Sequence, residues 1–140
     1  MDKHEKQSII ETVVMGLVAQ GGPSVERADG DTRCLYVGQN GRRCAIGLLL
    51  GDTDFPKYCN GKSVQMSAEI QDALKKIGMK LESDKDISFL QSIQQAHDYA
   101  ATPGDGDGDY VDDDSFFRSF DCHIRNVCKI WDLRFPEELI

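Results

Sequence analysis

Apolar residues recur at helical spacing in several stretches of this chain, and residues that start or stop helices bound each stretch. Asp2 stands three residues before Glu5, the spacing of a capping box. Ile9, Ile10, Val13, Val14, Leu17 and Val18 then form one stripe, and Gly21-Gly22-Pro23 ends it. A second helix opens at Ser63 or Ser67, carries Met66, Ile70, Ala73, Leu74 and Ile77 on one side, and stops at Gly78. A third starts near Asp84 or Asp86 and runs to about Ala101, with Leu90, Ile93, His97 and Ala100 on one face. A fourth, with Phe116, Phe117, Phe120, Ile124, Val127, Cys128 and Trp131, has the widest apolar face. The tail from Leu133 contains Pro136 and reads as an irregular strap.

Between the first two helices the pattern changes. Ser24 to Asp31 is polar and aperiodic and reads as a loop. From Cys34 to Leu50 a β-type run (Cys34 to Val37) precedes a turn cluster (Gly38 to Gly41) and a second apolar run from Cys44. The stretch predicts a β-hairpin with Asn40-Gly41 at its turn, although a run as short as Ala45 to Leu50 is compatible with strand or helix. The predicted architecture is therefore α+β and mostly helical, with about four helices packed around a single hairpin. It forms one compact domain over 1–140, with an acidic loop at 103–114.

At 140 residues the chain can bury an adequate core without disulfide or metal. No stretch reads as a membrane span or secretory signal. The five cysteines, Cys34, Cys44, Cys59, Cys122 and Cys128, are odd in number, which predicts reduced thiols in a cytoplasmic protein. Formal net charge is −8, but six of the 24 acids lie between Asp105 and Asp114, leaving the rest of the chain nearly balanced. There is no broad basic face, so neither direct nucleic-acid binding nor attraction to an anionic membrane is expected.

Alternating aspartates suggest calcium, but an EF-hand counted from Asp105 would need glycine and a bidentate acid where Tyr110 and Phe116 stand. No metal or other cofactor is therefore predicted from the loop. Zinc would have to draw on Cys34, Cys44, Cys59 and Cys122-His123, and none of these has Cys-x-x-Cys pairing. Cys44 is the candidate nucleophile if a helix N-terminus lowers its thiol pKa, with His97 as base and Asp98 as the carboxylate. His97 shares the apolar stripe of its helix, as a hydrogen-bonded core histidine does, and Asp98 is expected to point elsewhere. A cysteine-dependent enzyme using Cys44, His97 and Asp98 is therefore the alternative reading. The surface offers another candidate set: Asp105, Asp107, Asp109, Asp112 and Asp113 of the acidic loop, with Arg118 and Arg125 on the polar face of the fourth helix, as partner-binding residues.

Cys34-Leu35-Tyr36, the turn Gly38 to Gly41, Cys44-Ala45-Ile46-Gly47 and the later Phe89-Leu90 and Ala96-His97-Asp98 together resemble a group of small bacteriophage- and prophage-encoded proteins. The likeness covers about 65 residues. It departs after Leu50, where Gly51-Asp52 replaces a Pro-Asp turn, and at the acidic loop, which looks like an insertion. The resemblance implies action inside a bacterial host cell and brings no catalytic residue or ligand. It favours an accessory protein that binds and modulates or inhibits a host protein, defence proteins included.

Overall fold

The computed structural model describes residues 1–28, 31–38, 41–60, 62–102 and 112–139. Among the described residues there are five α-helices: α1 (Lys3–Gln20), α2 (Ala45–Leu50), α3 (Ala68–Lys76), α4 (Asp84–Ala101) and α5 (Asp113–Ile130). Single 3₁₀ turns lie at Lys57–Cys59, Val64–Met66 and Glu137–Leu139. α4 runs through the centre, packed along α5 and against α2 and the Val64–Met66 turn, while α1 lies on α2. Ile10 and Leu17 of α1, Ile46 and Leu50 of α2, and Ile70 and Leu74 of α3 meet Phe89, Leu90 and Ile93 of α4 and Phe116, Phe120 and Ile124 of α5 in one cluster. Each of these side chains, fully buried, contributes about 1.5–3 kcal/mol of transfer free energy.

The helix ends follow the sequence closely. Asp2 Oδ1 accepts the Glu5 N–H at 2.8 Å, and Gly21, at φ 86°, donates its N–H to Leu17 O and Val18 O. Ser67, not Ser63, caps α3, its Oγ accepting from Ile70 N at 3.3 Å. Asp112 caps α5 by accepting from Ser115 N at 2.8 Å. Ser63 instead opens the 3₁₀ turn, which leaves Met66 80% exposed and off the apolar face assigned to it.

The α+β expectation is overturned. Among the described residues helices pack on one another, and no hairpin lies at their centre. Residues Cys34–Val37 do not pair with an arm beyond Cys44: the stretch closes with one isolated bridge, Val37 to Arg43, and the chain then enters α2. Cys44 is the N-cap of that helix, in extended conformation, with its Sγ accepting from Gly47 N at 3.4 Å. Among the described residues the strands are a two-stranded antiparallel ribbon one segment earlier, β1 (Val25–Ala28) and β2 (Asp31–Cys34). Its sequences, Val-Glu-Arg-Ala and Asp-Thr-Arg-Cys, are too polar to show apolar alternation.

The Cys-Ala-x-Gly run is explained by packing. A Cβ on Gly47 would fall inside the Tyr36 carbonyl oxygen and 2.8 Å from its carbonyl carbon, so only glycine lets α2 lie against the Leu35–Val37 backbone. Cys44 N donates to that same Tyr36 oxygen at 3.3 Å. The Tyr36 hydroxyl donates to Lys62 O at 2.6 Å, fastening the following loop.

Candidate functional site

α4 carries four buried polar side chains, Asp86, Gln91, Gln94 and His97, beside its core residues Phe89, Leu90 and Ile93. Each accepts a backbone N–H from a different segment. Asp86 Oδ2 takes Glu82 N at 2.9 Å, and its Oδ1 pairs with the Met1 ammonium at 3.1 Å. Gln91 Oε1 takes Gln65 N at 3.4 Å. Gln94 Oε1 takes Ile46 N at 3.1 Å, in the unsatisfied first turn of α2. His97 Nε2 takes Ser24 N at 3.1 Å, in the connector after α1. α4 is thus a rack from which four segments hang, and the Ile46 and Ser24 amides among them would otherwise be buried unpaired. Burial works against the Asp86 carboxylate, but the Glu82 amide, the Met1 ammonium and the Ser83 amide outweigh it and hold its pKa below the usual range.

The candidate catalytic residues sit in this rack. Because His97 Nε2 accepts a backbone N–H, its Nδ1 carries the proton and donates to Asp98 Oδ1 at 2.9 Å. Asp98 therefore reaches back to its neighbour rather than pointing away, and the same oxygen accepts Gln94 Nε2 at 2.7 Å. Cys44 is 0% exposed. Burial, joined by the negative charge of Asp98, pushes its thiol up to about 12, against the pull of the Gly47 and Ile46 amides and of Gln94. At neutral pH that leaves about one thiolate in 10⁵, the reverse of an activated nucleophile. Both His97 nitrogens are committed elsewhere, so neither serves as base to Cys44. The helix N-terminus that was to activate the thiol is present, but desolvation outweighs it.

The candidate partner-binding residues divide. Asp105, Asp107 and Asp109 lie outside the described residues. Asp112 is occupied as the α5 cap, and Asp113 pairs with Arg42 through two contacts of 3.2 and 3.4 Å, tying α5 to the turn before α2. Arg125 binds Glu137 through both guanidinium nitrogens at 2.6 and 2.9 Å, holds Asp121 at 2.9 Å, and lies 3.9 Å over the Phe135 ring. Arg125 is therefore a latch for the C-terminal strap. Arg118 is exposed and bonds within its own helical turn, to Ser115 Oγ at 3.1 Å. With Asp114, Cys122, Asn126 and Ile130 it makes an exposed stripe at i, i+4 spacing, ending in an isoleucine 69% exposed.

Sequence reasoning passed over an open groove of about 800 Å³ between Leu35–Gly38 and the Gly51–Asn60 loop, lined in part by Val37, Arg43, Asp54, Phe55, Lys57 and Tyr58. Arg43 at its edge is turned inward, donating to the Gly51 carbonyl and, at 3.4 Å, to Gly47 O, where a cation suits the C-terminal end of α2. Among the described residues no three His, Cys, Asp or Glu side chains gather to hold a metal ion, and no helix is long and apolar enough to cross a membrane. Comparison of the chain with family models, curated proteins and solved structures returns no match.

Proposed function

We propose that this chain is a non-catalytic binding protein of the phage-encoded type it resembles, one that holds and modulates or inhibits a host protein, with the exposed stripe of α5 as its contact surface. The observation that carries the reading is the fate of the chemistry-bearing residues. Cys44, His97 and Asp98 are spent on internal hydrogen bonds that cap α2 and fasten the α1 connector, and the thiol is buried and protonated. On α5, by contrast, Asp114, Arg118, Cys122, Asn126 and Ile130 are all exposed, and the helix beneath them is anchored by Phe116, Phe120 and Ile124. A rigid helix with a mixed charged and apolar outer row suits recognition of a protein surface.

The test is affinity capture from a bacterial lysate with the wild-type chain beside Arg118→Glu and Ile130→Asp. One stoichiometric host protein that is lost with either substitution is the expected result. Capture of nothing at useful stoichiometry, or the same capture by all three chains, refutes the reading.

A further inference from the structure

The open groove between Leu35–Gly38 and the Gly51–Asn60 loop holds about 800 Å³, the size of a small-ligand site. Its charged side chains balance, Arg43 and Lys57 against Asp52 and Asp54. Arg43 is already spent on the Gly47 and Gly51 carbonyls and on Asp52 Oδ1 at 3.5 Å. Among the described residues the side chains of Lys57 and Asp54 enter no hydrogen bond or ion pair. One uncommitted cation in a groove that also holds two carboxylates is poorly suited to a phosphate or any polyanion. The backbone edge is closed as well. Tyr36 N donates to Asn60 Oδ1 at 3.0 Å and Gly38 N to Arg42 O at 2.8 Å, so a peptide strand laid along Leu35–Gly38 finds those amides taken.

The groove also presents two aromatic rings in fixed positions. Phe55 stands edge-on to buried Tyr36 at 5.7 Å. Tyr58 is 62% exposed, yet its hydroxyl donates to Glu69 Oε1 at 3.2 Å, and Lys62 Nζ lies over the ring, 5.1 Å from its centroid. A ring held in this way has already lost the freedom that binding would otherwise remove. Along the same wall stand groups of both hydrogen-bonding senses: the Asp54 carboxylate accepts, the Lys57 ammonium donates, and the Thr53 hydroxyl does both.

We propose that this groove is a binding site for a neutral oligosaccharide. A sugar hydroxyl both donates and accepts, so it pairs with a carboxylate and with an ammonium and brings no charge to be balanced. The C–H face of a pyranose ring is weakly positive and is attracted to the negative face of an aromatic ring. Tyr58 is the stacking platform, on the ring face opposite Lys62. Asp54 accepts from the sugar hydroxyls and Lys57 donates to them. The groove is open rather than enclosed, so it admits a short stretch of a longer chain. None of these residues belongs to the α5 stripe, and sugar binding and host-protein capture therefore succeed or fail separately.

The experiment is saturation-transfer NMR of the full chain with maltotetraose, cellotetraose, mannotetraose and N-acetylchitotetraose, each at about 1 mM, followed by calorimetric titration of any that bind. Inorganic tripolyphosphate and tetra-alanine serve as the anionic and peptide probes. The expected result is binding of at least one tetrasaccharide and of neither control. Tyr58→Ala should weaken that binding about tenfold, and Asp54→Ala should weaken it several-fold. Circular dichroism checks that each variant keeps the wild-type helix content. Asp54 is exposed and its side chain makes no bond among the described residues, so Asp54→Ala still reads the site if Tyr58→Ala fails to fold. Saturation transfer to none of the tetrasaccharides overturns the proposal. So does sugar binding that both folded variants leave unchanged, or binding of tripolyphosphate or tetra-alanine in place of a sugar.

Discussion

Replacing Gly47 by alanine tests the central contact of the fold. The added Cβ would overlap the Tyr36 carbonyl, 2.8 Å from its carbon and closer still to its oxygen, and both atoms are backbone that cannot rotate away. Relief requires α2 to withdraw by roughly 1 Å. That movement stretches Ile46 N to Gln94 Oε1 from 3.1 Å and Cys44 N to Tyr36 O from 3.3 Å, beyond useful hydrogen-bond length. Losing two buried bonds costs about 1–3 kcal/mol each, and lifting Ile46 and Leu50 from the core adds a packing loss of similar size. The gain in helix propensity returns about 1 kcal/mol. The net expectation is destabilisation by about 2–8 kcal/mol, a large part of the roughly 5–15 kcal/mol that holds a domain folded. Gly16→Ala is the internal control. It is also helical, and the atoms its Cβ meets all belong to the Leu48 side chain, the two Cδ at 2.8 and 2.9 Å and Cγ at 3.2 Å, which can shift. Its expected change is within about 1 kcal/mol of wild type. Urea denaturation followed by far-ultraviolet circular dichroism measures both. Gly47→Ala no less stable than Gly16→Ala would refute the close-approach argument.

Three further outcomes follow from the same geometry. Brief iodoacetamide treatment of the folded chain, mapped by mass spectrometry, should modify exposed Cys122 well before buried Cys44 and Cys59, and early labelling of Cys44 would revive the nucleophile. The Cys44 pKa is raised in the folded state from near 9 to about 12, so the stability it contributes is fully present below pH 9 and is lost as pH rises toward 12. Wild type should therefore lose up to about 1.4 kcal/mol per pH unit more than Cys44→Ala above pH 9, and parallel urea midpoints from pH 8 to 10.5 would contradict this. Gln94→Leu leaves the Ile46 N–H without its partner and should cost about 1–3 kcal/mol, whereas an unchanged urea midpoint would remove Gln94 from the rack.

The helices with long periodic stripes were legible because their burial is a local matter of spacing. Ile9, Ile10, Val13, Val14 and Leu17 share one side of α1 whatever packs there, and the cap at Asp2 and stop at Gly21 lie within a turn of it. Phe116, Phe120 and Ile124 likewise announce α5. The Cys34–Leu50 stretch misled because α2 is six residues long, too short to show a period, and its cap is a cysteine rather than serine, threonine, asparagine or aspartate. Met66 misled for a related reason: one 3₁₀ turn ahead of α3 rotates it off the helical stripe.

The candidate site was legible only as a set of suggestive residues. Cys44, His97 and Asp98 do belong to one network joined through Gln94, with Asp98 at its partly exposed end, and His97 is the hydrogen-bonded core histidine that its place on an apolar stripe suggests. What each residue does depends on groups far along the chain: Ser24 for His97, 73 residues away; Ile46 for Gln94, 48 away; and Arg42 for Asp113, 71 away. Periodicity records which side of a helix avoids water. It carries no record of which distant amide or guanidinium will meet a polar side chain there, because that partner is chosen only when the segments pack. Element type and core face were therefore written locally in this chain, while tertiary packing decided that its most reactive-looking residues would be taken up in internal hydrogen bonds: Cys44 with Gly47 in α2, Asp98 with Gln94 and His97 in α4, and His97 with the distant Ser24 amide.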